Sequence, residues 1–135
     1  MLPQNTKELM KQNFRLLAVA LVATAFTGAL LMARAADKPQ YTVKEVMKAV
    51  HKGDDALAKK VTKGEGTQDD FKKLVVYYIA LPLNEAPKGD AASWKEKTTA
   101  LLLAAQALEA GKPGALDQYK TAVNCKACHS VHKPD

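Results

Sequence analysis

Beyond residue 35 the sequence has no arginine; its two, Arg15 and Arg34, both come earlier. Aromatic residues are few, with three Phe, four Tyr and one Trp, and there are only two cysteines. Each scarcity excludes something. A nucleic-acid surface of basic residues interleaved with aromatics has no stripe to rest on. A disulfide framework has one bridge at most to offer. No segment alternates apolar and polar residues as a half-buried strand does, so the regular structure is expected to be helical. The alanine-rich, aromatic-poor composition also leaves little bulk for a core. A small domain of that kind is marginal unless something else is buried with it.

What the chain does have begins at its N-terminus. Residues 1–15 carry Lys7, Lys11 and Arg15 against one acid, Glu8. Leu16 to Ala33 is an apolar run of 18 residues, and Ala33 and Ala35 then form an A-x-A site. A basic stretch, an apolar stretch and small residues at a cut are the parts of an export signal, with cleavage predicted after Ala35. The run is also just long enough to span a bilayer, so the other reading is an uncleaved N-terminal anchor. Either way, residues 36–135 are expected outside the cytoplasm, in the periplasm, meeting a membrane only if the N-terminal segment is retained. Those residues keep 16 lysines against 13 acids, a formal charge of +3. That describes an ordinary solvated surface, with a modest field that could help steer an acidic partner.

From residue 36 onward, glycine and proline divide a helix-forming sequence into pieces. In "TVKEVMKAVHKG", Val43, Val46, Met47 and Val50 share a face, with Thr42 as N-cap and Gly53 at the end. "DDALAKKVTKG" continues this helix after a break. Thr67 starts a second helix with acids in its first turn and Phe71, Leu74, Val75, Tyr78 and Ile79 at helical spacing. Ser93 is expected to open a third, with Glu96 completing a capping box and Trp94, Thr98, Leu101, Leu102, Ala105 and Leu108 on one side. The last helix is expected from about Ala115 to about His132. The fold class implied is all-α, an antiparallel four-helix bundle.

The chain closes on "NCKACHSVHKPD". On a helix, Cys125, Cys128 and His129 point broadly to one side, because residues three and four apart are neighbours. Two thioethers and an imidazole presented from one face are what covalent heme attachment requires, and Cys-x-x-Cys-His is its signature. Two rivals compete. A thioredoxin-like dithiol wants Cys-x-x-Cys after a strand, and no strand is read here. A zinc site has the right count in Cys125, Cys128, His129 and His132, but the side chains of the neighbours Cys128 and His129 diverge along a helix. One covalent heme c is the preferred reading.

At "CKACHSVHK" the sequence resembles the class II cytochromes c, which include the cytochrome c-prime group. The resemblance implies a heme bound near the C-terminus of a four-helix bundle and a basic residue four positions after the heme histidine, where Lys133 stands. It is specific at residues 125–133 and, less so, in the first helix. Val131-His132 departs from it, since the family often has an aromatic residue there. Related bundles often pair, which leaves a homodimer open.

His129 supplies one axial ligand, so a second must come from another helix. Past residue 35 only Met47 remains of the four methionines, and His51 is the only histidine outside the motif region. The resemblance implies a first-helix methionine in low-spin members and an apolar residue with five-coordinate iron in c-prime members. Met47 is therefore the expected sixth ligand, His51 the alternative, and an open site the third case. A thioether opposite an imidazole suits single-electron transfer between redox partner proteins. An open site suits a protein that binds small gases such as NO or CO. No acid, base and nucleophile constellation appears, so no enzyme activity is expected. Tyr41, Tyr78, Tyr119 and Trp94 are candidates for the pocket walls, Lys44, Lys126 and Lys133 are candidates to meet heme propionates, and His132 is expected at the surface or the heme edge.

Overall fold

The computed structural model describes residues 38–135; the expected export segment lies outside the described residues. Every regular element among them is helical. Helix α1 (Val43–Val46) is opened by a capping box. Thr42 Oγ1 accepts from the Glu45 amide at 3.3 Å, and the Thr42 amide donates to Glu45 Oε2 at 2.8 Å. The helix does not continue as α. Its ladder widens into a π-helical segment, Met47–His51, ending where Lys52 becomes extended. Such segments are uncommon and appear mostly as single turns, frequently at functional sites. This one carries both Met47 and His51.

Helix α2 (Leu57–Thr62) buries Ala58 and Val61. Helix α3 (Gln68–Tyr78) starts at Thr67, as expected, with a second capping box closed by Asp70. The Asp70 carboxylate also accepts from Lys60 Nζ at 2.7 Å, which ties α2 to α3. Between these helices Gly66 has no room for a side chain: a Cβ there would lie 2.6 Å from Phe71 Cε1 and 2.8 Å from Val61 Cγ2. Of the apolar stripe read on α3, Leu74 and Tyr78 are buried while Ile79, just past the helix end, is exposed. A short 3₁₀ turn, Leu81–Leu83, follows.

Helix α4 (Ala91–Glu109) is the long central element, packing on α3 and on α5 (Ala115–Ala122). Its buried side holds Trp94, Thr98, Leu101, Ala105 and Leu108 of the stripe read from sequence, whose Leu102 is half-buried, together with Ala104 and Ala107. Short side chains at these last positions let neighbouring helices approach closely. The start differs from expectation. Asp90 is the N-cap, accepting from the Ser93 amide at 2.7 Å, so the helix opens at Ala91 and Ser93 sits inside its first turn. Both Asp90 and Ser93 are good caps; the one that comes first takes the role and frees the Ser93 hydroxyl.

The expected last helix is also two helices. Helix α5 closes at Val123, whose amide reaches Tyr119 O at 2.8 Å. Helix α6 (Cys125–His132) reopens at Asn124, whose side-chain oxygen accepts from the Ala127 amide at 3.1 Å. The core lies among α1, its π-helical extension, α2, α3, α4 and α5. Its largest fully buried side chains include Tyr78, Tyr119, Leu74 and Leu81. The two tyrosine hydroxyls are 2.9 Å apart, and Tyr78 OH is also 3.1 Å from His51 Nε2. This buried polar chain satisfies three groups that would otherwise be costly to bury. Among the described residues no helix is long and apolar enough to cross a membrane.

Candidate functional site

The new start at Asn124 makes Cys125 the first residue of α6, so the whole Cys-x-x-Cys-His motif lies on one short helix. Cys125, Cys128 and His129 face the same way and line one cavity of about 140 Å³. Its other walls come from distant segments: Met47 and His51 from the π-helical turn, Trp94, Lys97, Thr98 and Leu101 from α4, and Val123 and Asn124 from the α5–α6 junction. A second cavity of about 510 Å³ is bounded by Met47, Trp94, Cys128 and His129 again, with Val43, Lys44, His132 and Lys133. Four side chains thus border both spaces: a thioether, an indole, a thiol and an imidazole.

The donor types match an apolar occupant with a metal at its centre better than a polar one. Among the described residues every buried side-chain nitrogen and oxygen has a hydrogen-bond partner, so the polar groups the walls offer are on side chains still open to solvent, such as the exposed His129. Both thiols are free, Cys125 exposed and Cys128 half-buried. Burial pushes the Cys128 thiol above its ordinary value, with Lys97 opposing the shift and Cys125 adding to it. No cluster of three or more His, Cys, Asp or Glu side chains gathers as a bare metal site among the described residues. The four-ligand arrangement considered for zinc is not assembled, for a visible reason. His132 is turned away, with Nδ1 2.8 Å from Lys88 O and Nε2 3.2 Å from Ser93 Oγ.

That placement corrects the expectation of a surface histidine and leaves the edge alternative standing. His132 is 2% exposed, and although it borders the larger cavity, both ring nitrogens are engaged elsewhere. The two candidate sixth ligands also differ. Met47 is half-buried and its thioether makes no hydrogen bond among the described residues, while His51 spends Nε2 on Tyr78 OH. Burial, helped by repulsion from His129, lowers the His51 pKa to about 4, so its ring is neutral near pH 7. In the same chain, burial raises the Tyr119 hydroxyl to about 12 against the opposing hydrogen bond from Tyr78, and raises Tyr78 far above the ordinary tyrosine value, with Tyr119 adding to that shift.

Of the aromatics named as candidate walls, Trp94 borders both cavities. Tyr78 and Tyr119 belong to the core, and Tyr41 pairs with Tyr77 at 4.8 Å between ring centroids. Of the lysines, Lys44 and Lys133 stand at the larger cavity, and Lys126 is exposed and borders neither. Lys97 and Thr98 were not singled out as site residues. Their signal was available, since both lie within a turn of Trp94 on α4. No model of a known protein family matches this chain, and neither the curated proteins nor the solved structures contain a match.

Proposed function

We propose that this chain is a single-heme c-type cytochrome of the class II kind, carrying single electrons between partner proteins outside the cytoplasm. The observation that carries the reading is the shared wall. Met47, from one end of the sequence, and Cys128 and His129, from the other, border the same two cavities. Chance gives no reason for the one methionine among the described residues to meet the Cys-x-x-Cys-His motif.

The roles follow residue by residue. Cys125 and Cys128 would hold the group covalently, and His129 would offer its imidazole to the iron. Met47 would offer its thioether to the same iron, and a thioether–imidazole pairing would raise the reduction potential. His51 is the weaker candidate because Tyr78 holds one of its two ring nitrogens, leaving only Nδ1. Trp94, which borders both cavities, would pack against the group and exclude water. Lys44, Lys97 and Lys133 are lysines bordering the cavities, and there is no arginine among the described residues. When bound, heme supplies the one-electron iron couple. The helices would then form a four-helix bundle in which α1 with α2, α3, α4, and α5 with α6 are the four arms. The N-terminal export segment is consistent with maturation outside the cytoplasm, where such attachment would take place.

Mass spectrometry and the visible spectrum test the reading together. The expected result is a gain in mass of one heme, two thiols inert to alkylation, and a low-spin spectrum with the weak far-red band of iron–thioether ligation. A colourless protein with two alkylatable thiols overturns it. A high-spin spectrum that shifts with CO after reduction replaces the electron carrier with a gas-binding protein.

A further inference from the structure

We propose that His132 is a positioning residue whose buried seat sets how α6 presents Cys125, Cys128 and His129. What is presented rests on the heme reading; the seat itself does not. Helix α6 has eight residues, and isolated helices shorter than about 12–15 residues are marginal in water, so something other than its own hydrogen bonds must fix it. Among those eight, His132 alone is buried, Cys128 is half-buried and the other six are exposed. The helix is therefore held at its start by the Asn124 cap and at its end by His132.

The seat is specific. The Lys88 carbonyl can only accept, so Nδ1, 2.8 Å away, carries the proton. In the neutral ring Nε2 is then an acceptor, and the Ser93 hydroxyl donates to it at 3.2 Å. The ring also meets Trp94 edge-on at 5.5 Å between centroids. Trp94 is itself fixed, its Nε1 donating to Leu81 O and Asn84 O, and it borders both cavities. Gly89 completes the seat. At φ +80° it has no side chain to interpose, and a Cβ there would lie 2.8 Å from Val131 O and 3.3 Å from His132 Nδ1. His129 is one turn back on the same helix, so a shift of His132 moves its imidazole.

The test compares the full chain as purified with His132→Ala, His132→Asn and Gly89→Ala. Asparagine keeps a donor for Lys88 O and loses the bond to Ser93; alanine at 89 pushes on the seat from the loop and leaves His132 in place. Amide hydrogen exchange over residues 125–132 is read against α4, with the visible spectrum and reduction potential of the same samples. Loss of a buried hydrogen bond is expected to speed α6 exchange about tenfold or more in His132→Ala while α4 stays protected. His132→Asn should be intermediate, and heme-bearing His132→Ala and Gly89→Ala samples should show a shifted potential. Unchanged α6 exchange and an unchanged potential overturn the proposal. So does equal loosening of α4 and α6, which would make His132 a general core residue. If His132→Ala does not accumulate, Gly89→Ala decides by the same criteria. Heme content of the unsubstituted protein is scored separately. A heme-free chain sinks the cytochrome reading, while the exchange comparison still decides the seat.

Discussion

Met47 and His51 stand four residues apart on one π-helical turn, and what each side chain already bonds separates them. Among the described residues the thioether of Met47 has no hydrogen-bond partner to give up, while His51 has Nε2 on Tyr78 OH and only Nδ1 left for a metal. Met47→Ala is therefore expected to open the sixth position, lowering the reduction potential and letting the reduced protein bind CO. His51→Leu should leave the low-spin spectrum intact. If the two results are exchanged, His51 is the ligand. His51 also predicts a pH effect. Its pKa is lowered in the folded chain, to about 4 from the ordinary 6.5, so the unfolded chain binds the extra proton first. Stability from this group is present above 6.5 and is lost as pH falls through that window. Thermal denaturation should show a decline between pH 6.5 and 5 that His51→Gln flattens.

The elements differ in how firmly sequence alone specifies them. At the start of α3, Thr67 and Asp70 satisfy each other's backbone amides, and Asp70 adds the bond to Lys60. The Lys60 hydrogen bond and those from Thr67 hold the Asp70 carboxyl well below the usual carboxylate range. Its contribution is thus present above the unfolded carboxylate pKa and lost as pH falls through the folded one. Asp70→Asn is expected to destabilise by about 1–2 kcal/mol in urea denaturation at neutral pH, with Lys60 half in solvent limiting the effect. A change under about 0.3 kcal/mol would mean that the cap holds without its charge. This boundary was legible because both partners of the cap are three residues apart in sequence. Ser93 misled for the same reason, since Ser93 and Glu96 match the capping pattern, yet Asp90 precedes them and captures the Ser93 amide. The π-helical turn at Met47–His51 has no local code: it is a change of hydrogen-bond register inside a sequence with ordinary helical periodicity. The gap between α5 and α6 was written only in Asn124, a residue that helices also tolerate. Asn124→Ala removes that cap and is expected to cost about 1 kcal/mol, read as faster amide exchange in α6. In the candidate site, the motif and Met47 were legible by residue type. The seat of His132 was not, because its principal partner is a backbone carbonyl 44 positions away.

Across the molecule, the packing is uneven in a way that follows from composition. Tyr78, Tyr119, Leu74 and Leu81 fill the core beside a central helix whose buried face is rich in alanine. Toward α6 the packing gives way to two cavities, and α6 contributes one buried side chain. Truncating the well-packed side should therefore cost more than altering the cavity side: Leu74→Ala is expected to lose about 2–5 kcal/mol whether or not heme is attached. The cavity side should depend on its occupant. A ligand present at a hundred times its dissociation constant stabilises by about 2.7 kcal/mol, and a tether supplies an effective concentration of that kind because the group stays within reach of its site. A chain carrying Cys125→Ser and Cys128→Ser cannot form the two thioethers, and for a domain of this size the loss corresponds to a fall in Tm on the order of 10 °C. Far-UV circular dichroism during heating measures it directly. Because serine replaces cysteine at one exposed and one half-buried position, the substitutions alone should cost little. An unchanged Tm would mean that the cavities are tolerated empty, and the covalent group would lose its place in the stability of the fold.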